Sequence, residues 1–197
     1  MIDKHKKLKC INPKAKSGMT LKSKQLCHVV SALLLTYYHD RAMFKSAFTA
    51  WSGMTRSLLP KITELKYITA NTKAAILSVT ETWLDESVSD AEIQILGYNI
   101  LRRDRNRHGG GVCVYIRSDI AFNERWDLQN KIIETLWIDL LLPKTKPILI
   151  STCYRPPNQT HFLECFENIL ASIRSDVELY ILGDFNICFK GEKICFI

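Results

Sequence analysis

The stretch ELYILGDFNICF, residues 178–189, runs Leu179, Tyr180, Ile181 and Leu182 directly into Gly183, Asp184, Phe185 and Asn186. An apolar run this short, closed by a glycine, has the length of a buried strand. Its carboxylate and amide then fall at the edge of a sheet. The same arrangement recurs upstream. AAILSV (74–79) leads into Thr80, Glu81, Thr82 and Trp83, and PILISTCY (147–154) ends in Tyr154. YNILRR (98–103), GVCVYIR (111–117) and ETLWIDLLL (134–142) are further strand candidates. Two helices separate these runs. SLLPKITELKYITANT (57–72) carries Leu58, Ile62, Leu65 and Ile68 at helical spacing, with Ser57 as expected N-cap, Pro60 in the first turn and Asn71 at the end. HFLECFENILASIRS (161–175) gathers Phe162, Phe166, Ile169, Leu170 and Ile173 on one face. Helix, strand, several strands, helix, strand is the order of an α/β sandwich with mixed sheets, not of a helix bundle or a β-barrel.

The chain has 197 residues, enough for one domain with an appendage, and its composition, 47 % apolar and 24 % charged, is that of a globular protein. Its formal charge of +7 is unevenly placed. Residues 1–24 hold eight lysines against Asp3, and subtracting these from the 27 basic and 20 acidic side chains leaves 19 of each. The basicity therefore belongs to a tail, either a solvated arm or an arm that meets nucleic acid or acts as a nuclear address. Seven cysteines, an odd number without C-x-x-C spacing, argue against a disulfide framework or a zinc site and fit an intracellular compartment. The apolar run LCHVVSALLLTYY (26–38) is short of the roughly 20 residues a membrane span needs, so neither a membrane partner nor secretion is expected. It is expected to be a peripheral helix or a poorly folded extension. The expected organisation is a basic extension over 1–50, a domain over 51–190 and a tail over 191–197.

Glu81, Tyr154 and Asp184 with Asn186 each come after buried sequence at a strand end. In layered α/β folds such ends project side chains from a rigid base into a crevice. Carboxylates gathered there repel one another unless a cation or proton lies between them. Mg²⁺ suits the place, with Mn²⁺ as the alternative, because it takes hard oxygen ligands, keeps several waters, and needs one or two protein carboxylates plus a substrate phosphate. Taken singly, each residue has a plainer role: Glu81 as a cap, Tyr154 as packing, Asp184 as the head of an Asx-turn.

Together, TETWL (80–84), RRDRNRHGGGV (102–112), YRPPN (154–158) and GDFN (183–186) resemble the exonuclease/endonuclease/phosphatase superfamily, and within it the apurinic-endonuclease-like domain of non-LTR, jockey-like retrotransposons. The likeness covers about residues 54–188. It implies a deoxyribonuclease I-like fold, an α/β sandwich of two mixed sheets flanked by helices, and Mg²⁺-dependent nicking of DNA by a monomer without a small-molecule cofactor, in the nucleus. By the same resemblance Glu81 is the metal ligand and Tyr154 contacts the scissile phosphate. Asp184 orients or deprotonates the attacking water or protonates the leaving oxygen, and Asn186 holds a phosphate oxygen. Arg103, Arg105, Gly109, Gly110, Arg155 and Asn158 are expected near the DNA backbone, the glycines otherwise forming a hairpin turn with solvated arginines.

Two departures qualify the likeness. Met54 stands where the family carries a supporting asparagine, a thioether suits a hard cation poorly, and the preceding KSAFTAWSG does not read as the expected buried strand. No Ser-Asp-His motif is present downstream: the histidines are His5, His28, His39, His108 and His161, and CFKGEKICFI does not resemble the family's continuation. The expected fold is thus incomplete, short of its C-terminal strands, and the expected function is a DNA-nicking endonuclease fragment with little or no activity. The alternatives are a non-catalytic remnant that binds nucleic acid weakly and another superfamily phosphatase or deadenylase.

Overall fold

The computed structural model describes residues 35–37, 48–189 and 192–194, with side chains over 54–186. Two sheets face one another. The first contains β1 (Leu35–Tyr37), β2 (Phe48–Met54), β3 (Ile76–Thr80), β4 (Tyr98–Arg103) and β5 (Val112–Arg117) in the order β1-β2-β3-β5-β4. Within it β2 and β3 run parallel and the other neighbours antiparallel. The second contains β6 (Ala121–Glu124), β7 (Glu134–Leu141), β8 (Ile148–Tyr154) and β9 (Glu178–Asp184) in chain order, antiparallel except for the parallel pair β8 and β9. A separate hairpin joins β10 (Ile187–Phe189) to β11 (Glu192–Ile194).

Strand alternation sorts the apolar side chains into three layers. Ile76, Val112, Val114 and Ile116 of the first sheet meet Leu136, Ile138, Ile150, Tyr154 and Leu182 of the second in the inner core. On the outer face of the first sheet, Leu77, Val79, Cys113 and Tyr115 lie under Leu58, Ile62, Leu65 and Ile68. Leu65 and Ile68 belong to α1 (Ile62–Thr72), and Ile93 of the single-turn α2 (Asp90–Ile93) joins the same layer. On the outer face of the second sheet, Trp137, Leu149, Cys153 and Ile181 lie under Phe162 and Phe166 of α3 (Phe162–Ser172). Strands covered on both faces need both side-chain sets apolar, which is why AAILSV and PILISTCY read as continuous runs.

The expected α/β sandwich of two mixed sheets with flanking helices is therefore present, and all six expected strands form within a residue or two of their ends. Four details differ. FTAWSGM over 48–54 is a strand after all, held parallel to β3 from Ala50↔Ile76 to Met54↔Thr80. Its pairing with β3 overrides a sequence that lacks an apolar run. β2 thereby begins three residues before the boundary expected at 50/51, and β1 lies inside the expected extension; the rest of the lysine-rich arm and of LCHVVSALLLTYY lies outside the described residues. Ser57 is not an N-cap: its φ is 78°, and its N–H donates to Glu81 O at 2.9 Å, extending the β3 edge instead. Pro60 starts a 3₁₀ turn (Leu59–Lys61), and α1 then runs past Asn71 to Thr72 with Lys73 left-handed at its end. No helix among the described residues is long and apolar enough to cross a membrane.

Candidate active site at the sandwich edge

β3, β8 and β9 all end at one edge, and the register aligns the polar residues found there. Across the second sheet Glu134 pairs with Tyr154, and Tyr154 pairs with Asp184. Across the sandwich, Tyr154 points into the inner core and its hydroxyl donates to Glu81 Oε1, from the far sheet. Glu81 is aimed there by a backbone held on both sides. Thr55, Ser57 and Leu58 donate to the carbonyls of Thr80, Glu81 and Thr82 at 3.0, 2.9 and 2.8 Å, while Trp83 N donates to Gly110 O at 3.0 Å. Glu81 itself takes φ 58°, a left-handed turn that a non-glycine residue adopts only when its surroundings fix it.

Three donors orient the Glu81 carboxylate. Besides the Tyr154 hydroxyl, Oε2 accepts from Trp83 Nε1 at 2.5 Å and from Gly110 N at 3.0 Å. Burial, together with the neighbouring Glu81 carboxylate, pushes the Tyr154 phenol above its ordinary range, so it stays protonated and donates. On β9, Asn186 N donates to Asp184 Oδ1 at 2.9 Å, an Asx-turn, and Asn186 Nδ2 donates to Arg155 O at 2.9 Å. The plain turn role and the site position thus coexist: the turn uses one Asp184 oxygen, and a carboxylate offers about four acceptor positions.

The nucleic-acid candidates separate. Arg155 pins the turn, its N donating to Asp184 O at 2.9 Å and its Nη1 to Phe185 O and Asn186 O at 3.3 Å. Asn158 is exposed on the loop after Tyr154. Arg103 is half-buried, reaching Gln129 Oε1 and Thr135 O at 3.4 Å, and burial lowers its basicity while Glu134 partly restores it. Gly109 and Gly110 are buried beneath the exposed Arg105, whose Nε donates to Gly109 O at 2.9 Å and whose Nη1 pairs with Glu134 Oε1 at 3.0 Å.

Glu134 is the site residue that the sequence reading missed. The other candidates stand after apolar runs, whereas β7 is antiparallel to β8, so its first residue reaches the same edge as Tyr154. A glutamate immediately before TLWIDLLL was the available signal.

No group of three or more His, Cys, Asp and Glu among the described residues is arranged to hold a metal ion. The donor set fits a metal anchored by Glu81, completed by water and phosphate, and not a protein cage; Mg²⁺ is commonly held this way. Met54 ends β2 beside Thr80, one residue from Glu81, and offers only a soft thioether.

The layered sandwich thus presents an oriented glutamate, a phenol, an aspartate and an amide at the ends of strands from both sheets. The model of the Endonuclease/Exonuclease/phosphatase family matches residues 34–189, and the chain belongs to that family. Comparison with curated proteins gives no match. Among solved structures, it is similar to the endonuclease domain of TRAS1, a telomere-specific non-LTR retrotransposon (TM-score 0.54, 15 % identity, 70 % of this chain and 59 % of that one). It is also similar to AP endonuclease LMAP from Leishmania major (0.53, 12 % identity, 86 % and 67 %) and to an AP endonuclease from Archaeoglobus fulgidus (0.50, 14 % identity, 70 % and 57 %). At these identities the likeness shows the fold, and the chain spans about 57–67 % of the length of those domains.

Proposed function

We propose that this chain carries the phosphodiester-cleaving site of a Mg²⁺-dependent, DNA-nicking endonuclease of the non-LTR retrotransposon kind. The observation that carries the proposal is the contact of Tyr154 with Glu81 across the two sheets, with Asp184 in register beside Tyr154 and Asn186 tied to Asp184 and Arg155. Mg²⁺, when bound at Glu81, would polarise a phosphoryl oxygen and screen the charge that develops on it. The protein's own groups do the rest. Tyr154 keeps its proton, which it gives to Glu81, and would turn it toward a phosphate oxygen once the Glu81 carboxylate held a metal. Asp184, with an acceptor oxygen outside its turn, orients the attacking water or exchanges a proton with it, and the Asn186 amide supplies an N–H for the opposite oxygen. The similarity to TRAS1 and to AP endonucleases supports DNA as the substrate, and the eight lysines of residues 1–24 supply a salt-sensitive attraction to its backbone.

Turnover is expected to be slow. Among the described residues Asp184 is the one group placed to exchange a proton, with no imidazole hydrogen-bonded to Glu81, Tyr154, Asp184 or Asn186, and loss of a second acid or base commonly costs 10²–10⁴-fold. That observation, with Met54 beside the site, also favours a second reading, a phosphate-binding protein without turnover. Relaxation of supercoiled plasmid in Mg²⁺ separates them. The chain is expected to nick measurably faster than its Glu81→Ala variant, and equal rates for the two, with DNA still bound, would establish the second reading.

A further inference from the structure

Two carboxylates, Glu81 and Glu134, accept from consecutive peptide N–H groups. Gly110 N donates to Glu81 Oε2 at 3.0 Å, and Gly111 N donates to Glu134 Oε2 at 2.5 Å. Consecutive α-carbons are about 3.8 Å apart, so the two acids are held at close quarters and would repel if both stood bare. One is neutralised. Arg105 Nη1 lies 3.0 Å from Glu134 Oε1, and that carboxylate is mostly buried, 14 % exposed. Glu81, by contrast, receives neutral donors from Tyr154, Trp83 and Gly110. Of these two acids, Glu81 is thereby the one whose negative charge is not met by an arginine.

The Arg105 guanidinium also closes the turn. Its Nε donates to Gly109 O at 2.9 Å while Nη1 holds Glu134, so one rigid fork ties both sides of the Gly109–Gly111 backbone to β7. Gly110 and Gly111 take φ 71° and 83°, and this left-handed pair sets its consecutive N–H groups on the two carboxylates. A φ of 71° strains any side chain at Gly110, and a Cβ there would also come within 2.6 Å of the Arg105 Cζ and Nε and 2.7 Å of Glu134 Oε2, displacing the two groups that hold the turn.

From this geometry we propose that Glu134 is the positioning residue of Glu81. Through Arg105 and the Gly110–Gly111 turn it fixes the N–H that orients the Glu81 carboxylate, and by taking the Arg105 cation it leaves Glu81 charged for a metal. The metal half of this rests on the function proposed above; the positioning half does not.

The test uses the full chain, ¹⁵N-labelled, and three variants with native far-UV circular dichroism: Glu134→Gln, Arg105→Lys and Asp139→Asn. Asp139 pairs with Arg125 on the same strand, away from the edge, and serves as the control. Glu134→Gln keeps an acceptor for Gly111 N–H but loses the ion pair, and is expected to speed exchange of the Gly110 amide proton at least tenfold. Arg105→Lys is expected to do the same, because one ammonium cannot span Gly109 O and Glu134 together. Asp139→Asn is expected to leave Gly110 unchanged. Mn²⁺ titration followed by electron paramagnetic resonance is expected to show affinity about tenfold weaker in Glu134→Gln, the size usual for loss of an outer-shell partner. Gly110 exchange within twofold of wild type in Glu134→Gln or in Arg105→Lys, or an equal change in Asp139→Asn, overturns the proposal. If Gly110 responds as expected but wild type binds Mn²⁺ no more tightly than Glu81→Ala, the positioning role stands and the metal-dependent function falls. If Glu134→Gln does not fold, Arg105→Lys alone decides by the same criterion.

Discussion

Gly183 shows how one residue places the acid next to it. It sits inside β9 opposite Cys153 with φ 135°, a backbone region that side chains rarely enter, and a Cβ built there would lie 1.8 Å from Cys153 O. The glycine of GDFN therefore lets β9 lie flush against β8 until the chain turns out at Asp184. Gly183→Ala must either break the Cys153 pairing or carry backbone strain worth about 1–3 kcal/mol besides the clash. The expected loss is about 4 kcal/mol of unfolding free energy, read from the urea midpoint, with a Gly183→Ser variant no better. Were alanine tolerated within about 1 kcal/mol, β9 could not hold the register that brings Asp184 beside Tyr154.

At the scale of elements, α3 keeps that turn in place. Phe185, between Asp184 and Asn186, meets Phe162 edge-on at 5.7 Å and Phe166 at 5.5 Å, and Phe166 in turn stacks on Trp137 at 5.8 Å. The aromatic cluster buries the middle residue of the turn and leaves its polar neighbours outside. Phe166→Ala is expected to cost about 3–5 kcal/mol, the range for deleting a buried ring, and to loosen the Asn186 amide, which amide exchange would report as faster than that of the remote β5. Much of this was legible in the sequence. The α3 face came from helical spacing, and the long strands from their continuous apolar runs. β6 was not, because AFNE alternates exposed and half-buried residues at a sheet edge and carries no apolar run. β2 was not, because its place depends on a parallel partner more than 20 residues away, which local pattern does not encode. Glu81, Tyr154, Asp184 and Asn186 stood out as polar residues after apolar ones, whereas Glu134 stood before its strand. The Arg102 guanidinium, which the motif alone does not separate from Arg103, binds the carbonyls of Asp85 and Val88 at 2.8 and 2.7 Å and pairs with Asp104; its work is to hold the loop after TETWL onto β4.

Across the whole molecule, each outer apolar layer contains one fully buried thiol that reports whether that layer is closed. Cys113 lies beneath α1 on the first sheet and Cys153 beneath α3 on the second, both fully buried and free. Burial pushes both thiols up from 9.0, Cys153 to about 12 and Cys113 higher still. The sign is set by where the thiolate forms first. Below pH 9 both states keep the proton and nothing is lost. Above it the unfolded chain ionises while the folded one does not, so stability falls as pH rises from about 9 toward the folded value. At pH 10, one unit above 9.0, each thiol is worth between about 1 and 2 kcal/mol, so the pair accounts for about 3 kcal/mol. Urea unfolding in reductant at pH 8, 9 and 10 is expected to show the wild type losing about 3 kcal/mol more than a Cys113→Ala/Cys153→Ala variant over that interval. Each single variant should remove about half of the difference, because the two thiols sit under different helices and their effects add. If one single variant removes all of it, only the other layer admits water. If the curves run parallel, neither thiol is sealed, and the two helical layers do not close over the sheets whose ends carry the site.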